Sequence, residues 1–458
     1  MARLAVSNRS RTPGRKLRPS LENLEGRILL FANSGNHFTY GVDIRFSIVP
    51  DGTDLGGVRS NLYSALDKAY GAGNWENAIM DAAAKWEYHA NMNLTYVYDN
   101  GAPIGSGAYQ QGNPSFGDIR IGGFVQASNF VAYTFAPPPA NGDSSSGDMF
   151  INTGLPFGGA NGYDLETVVL HEFGHALGLG HSTDTNAVMY PYYTGVKQTL
   201  GKDDINGIYD VYGPRGPDFI ALNAYNYYFD KAYDITSYTT QYDQINISSL
   251  SVNIATQDYW FKVKTPSNAS STFTAVIQSQ GLSLLSPEVA IADASGNILV
   301  DNAAGPNVYG TFEGAQITNA KPNTYYYIGV AGATQNQSNA DGAYALIINM
   351  GAYNIGPVSP PNTIVGVQPN QGGGGSGLTL SSHSQTKHVD PPFDFAKMGT
   401  LKSVGDYMTI APSYLRQIHH RTSIAVQTQQ HHPAQRTWAN RLIGSKHPSM
   451  FAVGSSKR

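Results

Sequence analysis

Residues 171 to 181 read His171-Glu172-Phe173-Gly174-His175-Ala176-Leu177-Gly178-Leu179-Gly180-His181. His171 and His175 are four residues apart, so on a helix they share one face, one turn apart. Two imidazoles so placed can take two corners of a zinc tetrahedron. Glu172 can reach a metal-bound water without being a ligand. Gly178 can adopt the left-handed conformation that stops a helix and turns the chain. That turn carries His181 back as a third nitrogen ligand and leaves the fourth position for water, as in a catalytic site.

A bare His-x-x-x-His pair is a weak signal, because two such histidines are common in any helix. Here the glutamate, the glycine and the third histidine coincide. Residues 163 to 170 lead in with Leu165, Val168 and Val169 at helical spacing.

At these residues the chain resembles the metzincins, zinc peptidases with His-Glu-x-x-His-x-x-Gly-x-x-His and a methionine turn downstream. Ala187-Val188-Met189-Tyr190 stands where that turn is expected. The resemblance implies that Met189 lies beneath the metal as an apolar floor. His181 to Asp184 and Met189 to Tyr193 narrow the likeness to the matrixins, the matrix metalloproteinase family. Asp203-Asp204-Ile205-Asn206-Gly207-Ile208, leading to Val211-Tyr212-Gly213, resembles their last catalytic helix.

The likeness extends upstream. Val42 to Val49 alternates as a strand. A helix is predicted near 74 to 90, with Trp75, Ile79, Ala82, Ala83 and Trp86 on one stripe. Ile79 to Val97 resembles the first matrixin helix and second strand, and Gly117 to Gly122 the third strand. Val131 to Phe135 resembles the edge strand to which an extended peptide adds. Gly147 to Asn152 resembles the fifth strand. The resemblance thus implies that Ala132, Tyr133 and Thr134 border the substrate on one side. Tyr190, Pro191 and Tyr192 border it on the other, in a pocket that is usually apolar in the family.

One departure matters. Animal matrixins carry histidines for a second, structural zinc on the edge and fifth strands, where this chain has Tyr133 and Phe150. Before residue 353 there are five histidines: His37, His89 and the three of the motif. One catalytic zinc is therefore expected. Calcium is a further candidate, with Asp143 and Asp148 flanking a Gly/Ser-rich loop.

Composition frames the rest. The chain has 458 residues, too many for one ordinary domain, with 50 glycines, 29 tyrosines and 14% charged residues. Cysteine is absent, which excludes disulfides, thiol chemistry and a cysteine switch of matrixin type. No apolar run is long enough to span a membrane. The net charge of −4 hides an asymmetry, with residues 1–32 at +5, 33–352 at −16 and 353–458 at +7.

Residues 1–32 are read as a basic export or sorting-like segment, on the Leu-Glu-x-Leu-Glu-x-Arg-x-Leu-Leu pattern of Leu21 to Leu30. Residues 33–213 are read as an α+β metzincin-type catalytic domain, a twisted mixed sheet with three helices. Pro214 to Pro217 marks a candidate boundary. Residues 218–352 show short alternating stretches separated by turns, the pattern of an all-β sandwich. They resemble the pre-peptidase C-terminal type of accessory domain. Residues 353–458 lose periodicity and are expected to be a disordered tail; its pairs His419-His420 and His431-His432 lack zinc-site spacing.

The expected function is that of an exported or surface zinc metalloendopeptidase acting on proteins or peptides, with Glu172 as general base. No nucleic-acid partner is expected. The tyrosine-rich second region offers a polysaccharide or cell-surface contact, against the plainer reading of sandwich core. The rival reading of the whole chain is a non-catalytic adhesion or matrix protein with a degenerate peptidase domain. The intact Glu172 argues against it.

Overall fold

The computed structural model describes residues 33–40, 43–126, 130–333 and 337–351. The export-like segment and the basic tail with its histidine pairs lie outside the described residues.

The first half contains β1 (Ile44–Ile48), α1 (Leu62–Tyr70), α2 (Glu76–His89), β2 (Leu94–Tyr96), β3 (Ile119–Phe124), β4 (Ala132–Thr134), β5 (Met149–Asn152), α3 (Leu165–Ala176) and α4 (Lys202–Tyr212). Its sheet runs β2-β1-β3-β5-β4. β4 alone is antiparallel and closes one edge, with Tyr133 opposite Phe150. Strands covered on both faces need apolar residues at successive positions, and β5 is buried throughout. Helices α2 and α3 are tied together beneath the sheet: Trp86 Nε1 donates to Leu170 O at 2.9 Å, and Lys85 pairs with Glu166. Phe46 of β1 meets Phe173 of α3 edge to face at 5.5 Å.

This half has four helices, where the resemblance implies three. The additional one, α1, buries only Leu62 and Leu66, too sparse a stripe to stand out as periodicity. Gly71 (φ 88°) and Gly73 (φ 72°) separate it from α2. Asp67 fastens that turn, accepting from Gly73 N and from Trp75 Nε1.

The second half contains α5 (Phe219–Ala224), β6 (Tyr233–Asp234), β7 (Gln244–Val252), β8 (Tyr259–Lys264), β9 (Phe273–Gln278), β10 (Pro287–Ala292), β11 (Ile298–Ala303), β12 (Phe312–Ile317), β13 (Tyr325–Gly332) and β14 (Gly342–Asn349). Two sheets face each other, ordered β11-β10-β13-β8-β6 and β12-β9-β14-β7. The rings of Tyr259, Tyr326 and Tyr344 sit in their shared core, as the plainer reading of the tyrosines expects.

The Pro/Gly boundary is a packed strap. Gly213 ends α4 with φ 76°, and Pro214 bridges to Ala90 at the end of α2. The Arg215 guanidinium then donates to Glu87 O, Met92 O and Asn93 Oδ1. From the second half, Leu284 joins the core of the first, and Tyr309 donates to Asp81 Oδ1 at 2.6 Å.

Candidate active site

Helix α3 opens on Asp164, whose carboxylate accepts from Thr167 N at 2.8 Å. Leu165, Val169, Leu170 and Phe173 point into the core. That orientation turns His171 and His175 to the opposite face. The helix ends after Ala176, and Gly178 has φ 105°. A Cβ at Gly178 would lie 2.1 Å from Asn36 O, so both conformation and space demand glycine. The chain reverses there and delivers His181.

The three imidazoles converge, each with a ring nitrogen within 4.8 Å of the others. His175 Nε2 and His181 Nε2 are 3.2 Å apart. Nitrogens bound tetrahedrally to one zinc lie roughly 3.3 Å apart, so the donor set fits that ion. The tautomers follow from the partners. His171 Nδ1 lies 2.7 Å from Val188 O and His175 Nδ1 lies 2.8 Å from Leu179 O. A carbonyl only accepts, so both Nδ1 atoms carry hydrogen and both Nε2 atoms present lone pairs. Burial, helped by the neighbouring imidazoles, lowers His171 to a pKa of about 3 and His175 to about 4. Burial also lowers His181. The rings are thus neutral at pH 7, the form that binds a metal.

Glu172 is 5% exposed. Thr134 on β4 donates its hydroxyl to Glu172 Oε2 at 2.5 Å. Burial raises the carboxyl to a pKa of about 7, against the opposing effect of that hydrogen bond. The edge strand therefore holds the glutamate as well as lining the cleft. That role for Thr134 was not legible in the sequence, because nothing in a three-residue strand says which helix it faces.

Met189 is buried and packs against α3 at Gly174. A Cβ on Gly174 would come 2.2 Å from Met189 Sδ, so the glycine makes room for the thioether. The methionine turn hangs on Asp204, whose carboxylate accepts from Val188 N at 2.8 Å and Met189 N at 3.0 Å. Asp203 accepts from the Ser182 hydroxyl, just after His181. In the sequence this acidic pair looks like ordinary first-turn residues of a helix. Only folding shows that they hold the loop under the histidines.

A cleft of about 860 Å³ runs between β4 and the loop after the methionine turn, with the histidines and Glu172 at its centre. Ala132, Tyr133 and Thr134 line one side; Tyr190, Pro191 and Tyr192 line the other. The structure places the three histidines, Glu172 and these six residues along one cleft, with Met189 packed behind α3 at Gly174. The Tyr133 and Phe150 rings lie 5.1 Å apart, tilted by 31°, with Phe135 edge-on to both. Three aromatic rings fill the space where the second histidine site was expected to be lost. Among the described residues, the three histidines form the one cluster of at least three metal-capable groups. The calcium candidates do not assemble into another. Asp143 accepts from Ser145 N, and Asp148 is buried, accepting from Arg120 N.

A mixed sheet with an antiparallel edge strand, a helix bearing His-Glu-x-x-His and a methionine turn packed against it are the features expected of a metzincin-type domain. Within that class, residues 42–213 match the matrixin family model, and over them the chain carries a matrixin-like metalloproteinase domain. Karilysin of Tannerella forsythia is 37% identical over 143 residues, covering 30% of this chain and 28% of that protein. Human matrix metalloproteinase-20 is 49% identical over 90 residues, covering 19% of this chain and 18% of that protein. A probable matrix metalloproteinase of Invertebrate iridescent virus 3 is 36% identical over 103 residues, covering 21% and 27%. The chain thus spans less than a third of the length of each of these relatives.

Proposed function

We propose that the chain is a zinc metalloendopeptidase that cuts protein or peptide substrates outside the cell. The observation that carries this reading is the convergence of three imidazoles beside a buried glutamate in an open cleft. His171, His175 and His181 would hold the ion through nitrogen. Zinc bound there supplies a Lewis acid for the scissile carbonyl and acidifies a bound water.

The rest belongs to side chains of the protein. Glu172 takes a proton from the attacking water and returns it to the leaving amine. Its half-raised pKa suits both tasks. Thr134 holds the carboxylate by its Oε2 atom, leaving the other oxygen for the proton. The edge strand β4 presents backbone groups to an extended peptide, which adds antiparallel to it. Tyr190 to Thr194 form a wall of the pocket for the side chain after the cut. Residues 33–213 form the catalytic unit in this reading, and 218–352 an accessory sandwich docked behind α2.

The test is digestion of casein by the purified full chain, with and without a zinc chelator, alongside metal analysis. Zinc-bound protein that cuts casein and stops in chelator is expected. Undiminished cutting in chelator, or none by a zinc-loaded chain, overturns the reading.

A further inference from the structure

The charge of the cleft is uneven. Among its lining residues Lys197 is the one lysine or arginine, and Glu172 the one carboxylate. Glu172 is engaged by Thr134. Lys197 forms no ion pair among the described residues. Its ammonium donates to Thr185 O at 2.7 Å and Ala187 O at 2.9 Å, and lies 5.3 Å from the centre of the Tyr190 ring. An ammonium has three donors, so two carbonyls leave one for a ligand.

The ammonium is also held in place. Lys197 N donates to Thr167 Oγ1 at 2.8 Å, fastening the loop to α3 one turn before His171. The Tyr193 hydroxyl accepts from Asp164 N at the start of that helix. The loop is therefore pinned to the helix at two places, and Lys197 lines a cleft whose walls include Val168, Tyr163 and Tyr190. Apolar walls ending at a fixed cation suit a short methylene stem capped by an anion.

Resting on the peptidase reading of the cleft, we propose that Lys197 sets specificity for the residue after the cut, selecting glutamate over lysine there. The stem lies against Val168 and Tyr190, and its carboxylate accepts from the free ammonium donor. This departs from the apolar preference that the family resemblance implies. A basic residue in that position meets like charge at the ammonium.

The test uses the full chain and four peptides that differ only after the cut: Leu, Gln, Glu or Lys. Binding is read by fluorescence anisotropy on Glu172→Ala protein, and cleavage on protein with Glu172 intact. The Glu peptide is expected to exceed the Lys peptide by about fivefold in both, the upper end for a partly solvated pair. Lys197→Glu should invert that ratio, and Lys197→Arg should keep it. A Glu-to-Lys binding ratio that Lys197→Glu leaves unmoved overturns the inference, whatever the cleavage shows. A chain that binds the Glu peptide best but cuts none of the four overturns the peptidase reading and leaves this selectivity standing.

Discussion

Arg215 Nη2 lies 3.9 Å from Glu87 Oε1, with both side chains almost wholly buried. On its other side Arg215 Nε is 3.6 Å from Asp341 Oδ2, at the start of β14. Glu87 also accepts from Leu284 N of the second half at 3.2 Å. One buried guanidinium thus stands between two carboxyls from different halves of the chain. Asp43 feels Glu87 too. Burial raises all three acids, Asp43 to about 8, Glu87 to about 7 and Asp341 well above its usual value.

The pH dependence of stability follows. Glu87 has a folded pKa of about 7 against an ordinary 4.5, so between those values the folded chain keeps a proton that the unfolded chain has released. The contribution of Glu87 to stability is full below about 4.5 and is lost as pH rises through about 7. Unfolding midpoints at pH 5 and pH 8 should show the decline. Glu87→Gln should make it smaller, since Asp43 and Asp341 still titrate in the same direction. An unchanged slope in that variant would remove Glu87 as a source.

Arg215→Met should be more damaging than any loss of a surface cation. It leaves two buried carboxyls without their shared partner and frees Met92 O and Asn93 Oδ1. Breaking a buried pair from one side costs about 3–5 kcal/mol. Denaturant unfolding of the full chain measures this. A loss under about 1 kcal/mol, the range of exposed pairs, would show that the strap does not join the halves energetically.

Gly174→Ala tests the floor of the site. The new methyl would sit 2.2 Å from Met189 Sδ and 3.0 Å from Trp86 Cζ2. Overpacking of this kind costs about 1–3 kcal/mol. The displaced methionine should also loosen the loop that supplies Val188 O to His171, so zinc affinity should fall together with stability. Full retention of both would mean that Met189 moves aside freely.

Asp204→Ala should disturb the same loop from the other side. The amides of Val188, Met189 and Gly201 all donate to that carboxylate. Removing it orphans buried donors, at about 1–3 kcal/mol each where water cannot replace it. Peptide cleavage should drop along with stability. By contrast Lys202→Ala, at the exposed start of the same helix, should change neither by much.

Zinc content separates the roles inside the motif. Glu172→Ala should keep about one zinc per folded chain, as one three-histidine site requires, while its rate drops by about 10²–10⁴. His175→Ala should lose the metal. Counting should use a chain cut before residue 353, so that the tail histidines do not contribute. About two zinc ions in that preparation would show that the aromatic trio at Tyr133, Phe135 and Phe150 had been misread.

Much of this protein is local in origin and so legible from the sequence. A helix repeats every 3.6 residues, so His171 and His175 share a face wherever the helix lies, and Gly178 must turn the chain whatever surrounds it. The strands β1, β3 and β5 show themselves by unbroken apolar runs or alternation, and the sandwich by turns at regular spacing. What needed three dimensions is whatever joins residues far apart in the chain. Thr134 meets Glu172 across 38 positions, and Asp204 holds the methionine turn across 15 and 16. Arg215 finds one acid on α2 and another more than a hundred residues onward. A hydroxyl, a carboxylate or a guanidinium carries no periodicity that names its partner. Which one it meets is decided by how the sheets and helices pack, because burial obliges every charged or hydrogen-bonding group to find what the fold has placed within its reach.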